Sequence, residues 1–342
     1  MQSLSNYETN PMKSIAFFTN KGGVGKTTLT CNLAAYLAIH KGKKILIVDA
    51  DPQTNATQYM FKDSVLKEIY DKKSAFTIYS MARPLSQGKG YSTDNKYRKS
   101  STFKVDVLLG DPRLALIEDT LAADWNSGGV RGIRTTYMFR EFLSKCEDYD
   151  YVFFDMGPSL GSINRAVLIA CDYFILPLSM DIFSIRATEN ISTWLKDWKR
   201  RLDLQLSALP DADETEISDL SFRLRLLGYV NQQYTAKRDA SGERRAVKAY
   251  EKIMSEVPQA IEKTLLKDQA KPVGLNYQLG SIPNLHSLIP MSQNSRKPVF
   301  ELKNADGIVG AHFTKVNESL ELFTGIAANF NYSIEVLNDF VA

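Results

Sequence analysis

The chain has 342 residues, 44% of them apolar and 24% charged. That is an ordinary soluble composition and excludes a disordered chain, a disulfide-dense miniprotein and a collagen-like repeat. With 42 basic against 39 acidic residues the net charge is +3, so nucleic-acid binding has to be argued from where charges sit and not from their total.

Residues 1–12 form a polar N-terminal extension with no apolar stretch, so no signal peptide is expected and the protein is read as cytoplasmic. Cys31, Cys146 and Cys171 make no CxxC pair, which argues for a reducing compartment and against a zinc site or a disulfide framework. A strand over residues 14–19 runs directly into Asn20-Lys21-Gly22-Gly23-Val24-Gly25-Lys26-Thr27-Thr28, which opens a helix over residues 27–40. Glycines let backbone N–H groups turn inward around phosphate oxygens, and the helix N-terminus adds partial positive charge. Gly22 to Thr28 are therefore candidate nucleotide ligands. Lys26 is placed for the β- and γ-phosphates and Thr27 for Mg²⁺.

The next strand, residues 44–49, ends in Asp49-Ala50-Asp51-Pro52. Carboxylates at such a strand end lie where a metal and an attacking water are organised. A strand over 105–109 and a helix over 131–146 follow. Residues 151–155 then form a hydrophobic strand ending in an aspartate, a Walker B pattern in which Asp155 holds Mg²⁺ through a water. Gly157 and Pro158 come next as a switch segment. The most apolar long run, residues 166–178, is broken by Asp172 and Pro177 and is too short to span a bilayer. Further strands are expected at 173–178, 224–230 and 286–290, and helices at 188–204 and 242–266. The strands read as nearly continuous apolar runs, the mark of strands covered on both faces. Their alternation with helices predicts an α/β fold: a doubly wound, mostly parallel β-sheet flanked by helices. Length alone favours about two domains. Strands on both sides of each polar stretch favour instead one domain over residues 13–325, with insertions near 86–104, 209–219 and 267–281 and an acidic C-terminal tail at 326–342.

The run Lys-Gly-Gly-x-Gly-Lys-Thr-Thr at 21–28, with Asp51 and Asp155, resembles the deviant Walker A motif of the ParA/Soj/MinD family of P-loop ATPases. The resemblance covers roughly residues 13–323. It implies the P-loop NTPase fold of SIMIBI/ParA type and ATP with Mg²⁺ as cofactors. It also implies an ATP-sandwich homodimer in which Lys21 reaches the partner's ATP, and slow, partner-stimulated hydrolysis with Asp51 orienting the water. By the same analogy Asn231, Pro290 and Met291 flank adenine, while Asp49 is left with either a site role or a loop-shaping one.

Branches of the family separate by what is missing. Twelve residues before the first strand leave no room for an N-terminal helix-turn-helix. Residues 316–342 carry acidic groups and no Lys or Arg, unlike a membrane-binding amphipathic helix. The small ParA form remains: a nucleoid-associated ATPase that binds DNA non-specifically, answers to a ParB-like or other adaptor and drives DNA partition. Arg244, Lys248 and Lys252 recur every four residues, one face of a helix and a candidate DNA contact against the plainer reading of a solvated face. The rival readings are an ATP-gated switch that regulates a protein assembly without touching DNA, and a metabolic ATPase on the same fold.

Overall fold

The computed structural model describes residues 11–71, 75–92, 94–211, 213–238 and 244–340. Its first half runs Lys13–Phe17 (β1), Lys26–Lys41 (α1), Ile45–Asp49 (β2), Asn55–Met60 (α2), Asp63–Asp71 (α3), Ile78–Ser86 (α4), Arg98–Ser100 (β3) and Val105–Leu108 (β4). Glu118–Ser127 (α5), Gly129–Thr136 (α6) and Met138–Leu143 (α7) lead to Tyr151–Asp155 (β5), Ser162–Ala170 (α8), Tyr173–Ser179 (β6) and Ile182–Ser207 (α9). The remainder comprises Arg225–Tyr234 (β7), Ala236–Arg238 (β8), Arg244–Ala246 (β9), Lys248–Lys263 (α10), Gln278–Pro283 (β10), Leu288–Ser295 (α11) and His312–Asp339 (α12).

Eight strands form one sheet in the order β10-β7-β6-β1-β5-β2-β4-β3. All neighbours are parallel except β3, which pairs antiparallel with β4 at the edge. The strands β2, β5 and β6 are buried at every position, as expected when helices cover both faces of a sheet. One face packs Phe139, Phe154 and Phe174 with helices α4 to α10. The other packs Phe17, Phe153, Phe323 and Phe330 with α1 and α12. Register carries this to the site: Phe17 and Asp49 both pair with Asp155, and Phe17 with Ile175. The carboxyl ends of β1, β2, β5 and β6 therefore share one edge, where ligands bind in sheets of this kind.

Four expectations are corrected. Residues 286–290 are not a strand: His286 has a left-handed φ of 45°, and the chain turns there into α11. The edge strand on that side is β10, which begins in the expected insertion at 267–281 and runs past it, and Pro283 is tolerated because β10 lies at the sheet's edge. The helix expected over 131–146 is two helices that meet at Tyr137. The helix expected over 242–266 begins only at Lys248, because Arg244–Ala246 pairs with β8 as a two-stranded ribbon. Arg244 thus leaves the helical face it was assigned to; residues 242–243 lie outside the described residues. Finally, the expected tail at 326–342 is, as far as Asp339, the second half of α12. Ile326, Phe330, Ile334 and Leu337 are buried there, and the Phe330 ring lies 5.1 Å from Tyr151 and 5.8 Å from Phe153.

That packing gives a direct test. Phe330→Ala should cost about 3–5 kcal/mol of unfolding free energy, the range for emptying a buried aromatic site. Urea denaturation would read it; a loss below ~1 kcal/mol, the size of a surface change, would mean that α12 does not seal this face. Among the described residues no helix is long and apolar enough to cross a membrane.

Candidate functional site

The site begins with the turn after β1. Gly25 sits at the α1 N-cap with φ 83°, a conformation open to glycine at little cost. A Cβ there would also stand 2.8 Å from the Gln232 Oε1. The loop is thus shaped from below by β7, and Gln233 Nε2 donates to the Gly23 carbonyl at 2.7 Å. Gly22, Gly23, Val24 and Gly25 lie in the turn before α1, and Thr28 lies in the first turn of that helix.

Lys26 is 7% exposed and its ammonium donates to the Lys21 carbonyl at 3.1 Å. Burial lowers its pKa, while Asp155 and Asp51 pull the other way. Thr27 Oγ1 donates to Asp155 Oδ2 at 2.7 Å, and Thr30 Oγ1 reaches Oδ1 at 3.4 Å. Asp155 is fully buried, and that burial pushes its pKa up to about 7, with Thr27 opposing the shift and Asp51 adding to it. Asp49 beside it is pushed up to about 8 by burial first and by Asp155 next. The amide and hydroxyl of Thr57 donate to Asp49 Oδ2 at 2.7 and 2.6 Å, and Oδ1 is buried without a partner. Asp49 therefore orders the loop into α2, and it also keeps a free oxygen. Asp51 is 6% exposed at the β2 end, where its Oδ1 accepts the Gln53 amide at 2.9 Å and faces Gly157. The switch segment is held from behind by Asn164, whose Nδ2 donates to the Gly157 and Ser159 carbonyls at 2.8 and 2.6 Å.

Hard oxygen donors, a buried cation and carboxylates kept from ionising by burial suit a phosphate–cation pair, which would supply the missing positive charge. Among the described residues no three His, Cys, Asp or Glu side chains form a metal cage of their own. A cation here would need oxygens from elsewhere, as Mg²⁺ does when one or two carboxylates share it with phosphates. The buried and unpartnered Asn20 Oδ1, Asn231 Oδ1 and Gln232 Nε2 leave further polar atoms unmatched around the loop.

Burial of Asp49, with the Asp155 carboxyl beside it, sets a pH dependence. A folded-state pKa near 8 lies above the ordinary ~3.9 of an unfolded aspartate, so the penalty is absent at low pH. Stability then falls as pH rises from about 4 through 8, where only the unfolded chain gives up the proton. Asp49→Asn keeps the acceptor for Thr57 and should flatten this slope by about one proton over that range. Thermal unfolding of the ligand-free protein from pH 5 to 9 would check it; an unchanged slope would assign the titration to other groups.

Sequence reasoning missed the restraint on Lys21. Its ammonium donates to Ser179 Oγ at 3.0 Å and pairs with Asp181, the N-cap of α9. Burial would raise the Asp181 pKa, but Lys21, Ser179 and the Ser184 amide outweigh it and hold it below the usual carboxylate value. Beside this pair Ile182 and Phe183 are 57% and 66% exposed. The aspartate two residues past β6 was a readable cap signal; its contact across 160 residues was not. Of the adenine candidates, Asn231 is buried on β7 with Nδ2 donating to Ser281 at 3.3 Å. Pro290 and Met291 lie on α11, the former exposed. That helix is tied to α1 through Ser292, Tyr59 and Asn32. Lys248 and Lys252 are exposed on one face of α10, apart from the ribbon that holds Arg244.

Residues 12–208 match a family model described as an AAA domain. The chain is 30% identical over 195 residues to a virulence-plasmid ParA family protein of Chlamydia psittaci, covering 56% of this chain and 67% of that one. The crystal structure of protein DIP2308 from Corynebacterium diphtheriae superimposes with a TM-score of 0.67 at 27% identity, covering 94% of this chain and 99% of that one. McdA from Cyanothece, in a structure titled as an ATP complex, shares the fold with a TM-score of 0.59 at 16% identity, covering 92% and 97%.

Proposed function

We infer the activity from one premise: the chain belongs to the ParA-type family of AAA-domain P-loop ATPases. It is a Mg²⁺-dependent ATPase that closes as a homodimer around ATP, holds DNA without sequence preference in that state and drives plasmid or chromosome partition. Hydrolysis is slow and is stimulated by an adaptor protein. The observation that carries this reading is the convergence of Lys26, Thr27, Asp51 and Asp155 at one sheet edge, with Thr27 already bonded to Asp155 at 2.7 Å.

Each residue has a physical task. The loop amides and Lys26 bind the β- and γ-phosphates. Thr27 and Asp155 would hold Mg²⁺, which supplies charge neutralisation at those phosphates when bound. Asp51 orients the water that attacks the γ-phosphorus, and Asn164 fixes the segment facing it. Asn231 and the Pro290–Met291 turn of α11 flank the base. Lys21 is the group that changes partner. In the monomer it is neutralised by Asp181; in a closed dimer it moves to the partner's phosphates, where a cation stabilises transferring charge. Exposed Ile182 and Phe183 beside it support a face that another copy covers.

Lys21→Ala should leave ATP binding within about threefold of wild type, since its ammonium is committed to Asp181 and not to the loop. It should abolish ATP-dependent dimerisation in light scattering and cut turnover at least ~100-fold, the scale of losing one transition-state cation. A dimer and a rate that persist would remove the cross-subunit role.

A second reading keeps its place because of Arg244. With that residue on the ribbon, the α10 face presents two of the three cations assigned to DNA. An ATP-gated switch on a protein assembly would need none of them. DNA retention with ATP but not ADP, lost steeply with salt, supports partition; dimerisation without retention supports the assembly switch.

A further inference from the structure

A cavity of about 750 Å³ lies at the far end of the sheet from the phosphate loop. Its floor is the start of three strands, at Lys13, Tyr173 and Arg225, whereas the loop follows the end of β1. Helix α9 and the ends of α10 and α12 wall it, so no residue of the nucleotide site takes part. The volume falls within the ~300–1,000 Å³ typical of small-molecule sites.

Its chemistry is two-sided. Phe222, Leu224, Leu265 and Leu337 supply an apolar interior. Around them stand Lys13, Lys196, Lys199, Arg223 and Arg225, against only Asp172 and Asp268. Both carboxylates are already engaged: Asp172 accepts the Ser14 amide and hydroxyl at 2.9 and 2.7 Å, and Asp268 pairs with Lys196 at 2.5 Å. Arg223 pairs with Asp219 outside the lining and stands 3.8 Å from Asp172 within it, and Lys199 pairs with Asp203 outside it. Among the described residues Lys13 has no acidic partner. Among the described residues the Arg225 side chain donates to the main-chain carbonyls of Leu337 and Phe340 at 3.1 and 3.4 Å and lies 5.4 Å from the Phe340 ring, with no acidic partner.

Surplus cations around an apolar hollow select a molecule with an acidic head and a hydrophobic body. We propose that this cavity binds a small amphipathic anion, a carboxylate or phosphate monoester carried on an acyl or aryl body. The head lies against Lys13 and Arg225, and the body packs on Leu265 and Phe222. Duplex DNA could meet the exposed lysines, but it has no apolar part to fill the interior. ATP presents too much charge for a site whose walls are mostly hydrocarbon.

The test uses 1-anilinonaphthalene-8-sulfonate fluorescence on the full chain, with laurate, dodecyl phosphate and dodecanol as competitors. Saturable one-to-one displacement by one or both anions, at least about tenfold tighter than by dodecanol, is expected. The better of the two identifies the head group. Lys13→Glu combined with Lys199→Glu should weaken the anion by about tenfold or more, and Leu195→Trp should remove binding by filling the hollow. Circular dichroism would confirm that both variants fold, and the rim pair keeps the proposal testable if the tryptophan variant does not. No saturable binding below about 1 mM, equal affinity for dodecanol, or affinity unchanged in the rim variant would overturn the assignment. Displacement by ATP or by duplex DNA would overturn it as well, moving the probe to the phosphate loop or to a DNA surface.

Discussion

Lys26→Ala is expected to lose ATP binding almost completely. In the ligand-free protein Lys26 is 7% exposed, and among the described residues its ammonium has the Lys21 carbonyl at 3.1 Å as its one acceptor. Its desolvation has thus already been incurred, and phosphate oxygens would receive a cation that is held in place and poorly screened. Removing one member of a buried, hydrogen-bonded charge pair costs about 2–5 kcal/mol, or roughly 30- to 5,000-fold in affinity. The free protein should fold no worse, because burial disfavours the charged lysine in it. Equilibrium titration with a fluorescent ATP analogue, beside a thermal melt, measures both effects. Near wild-type affinity would refute the phosphate-loop assignment, and a collapsed melt would show that Lys26 supports the fold.

The loop was legible because its chemistry is local. Lys21 to Thr28 must be contiguous to wrap a phosphate, and strand–loop–helix context is visible in the hydrophobic pattern on either side. Asp155 was legible for a similar reason: four apolar residues ending in a carboxylate, with a phosphate loop in the same chain, leave few other tasks. The central strands β1, β2, β5 and β6 could be read since burial on both faces leaves an uninterrupted apolar run. The edges could not. Strand β3 lies in a stretch rich in Gly, Ser and Lys, and β10 begins in one marked by Pro272, Gly274 and Gly280, because an edge strand needs only one partner and tolerates Pro283.

The failure at Arg244 has another cause. A four-residue recurrence of cations is compatible with a helix, but Val247 is extended with ψ 148°, and the chain before it pairs with β8. Tertiary pairing overrode the periodicity. The C-terminal helix misled in the opposite sense, since Glu335 and Asp339 are exposed while Phe330, Ile334 and Leu337 pack inward. Net charge described its solvent face and said nothing of the other. The clasp of Asp181 on Lys21 lay beyond sequence altogether, for it depends on the pairing of β6 beside β1.

The strongest separation of the two functional readings comes from trapping the closed state. Asp51→Ala should slow hydrolysis by about 10²–10⁴-fold, the usual contribution of a positioned proton-transfer group, while ATP binding survives. Among the described residues Asp51 makes no hydrogen bond to Lys26 or Thr27; its Oδ1 accepts the Gln53 amide two residues on, and the Thr27–Asp155 pair stands without it. The variant should therefore accumulate as an ATP-bound dimer. If that dimer holds DNA, it should stay bound far longer than wild type, and retention should fall steeply with salt as phosphate counterions return. Adding Lys248→Glu and Lys252→Glu reverses the two exposed cations of α10 and should release DNA without weakening dimerisation, because both side chains point away from the core packing of Val257 and Ile261. Retention measured across a salt series, with light scattering on the same samples, reads each step separately. Equal retention with and without the reversals would move the DNA surface off α10, and a stable dimer that holds no DNA at any salt would leave the assembly switch as the function of this protein.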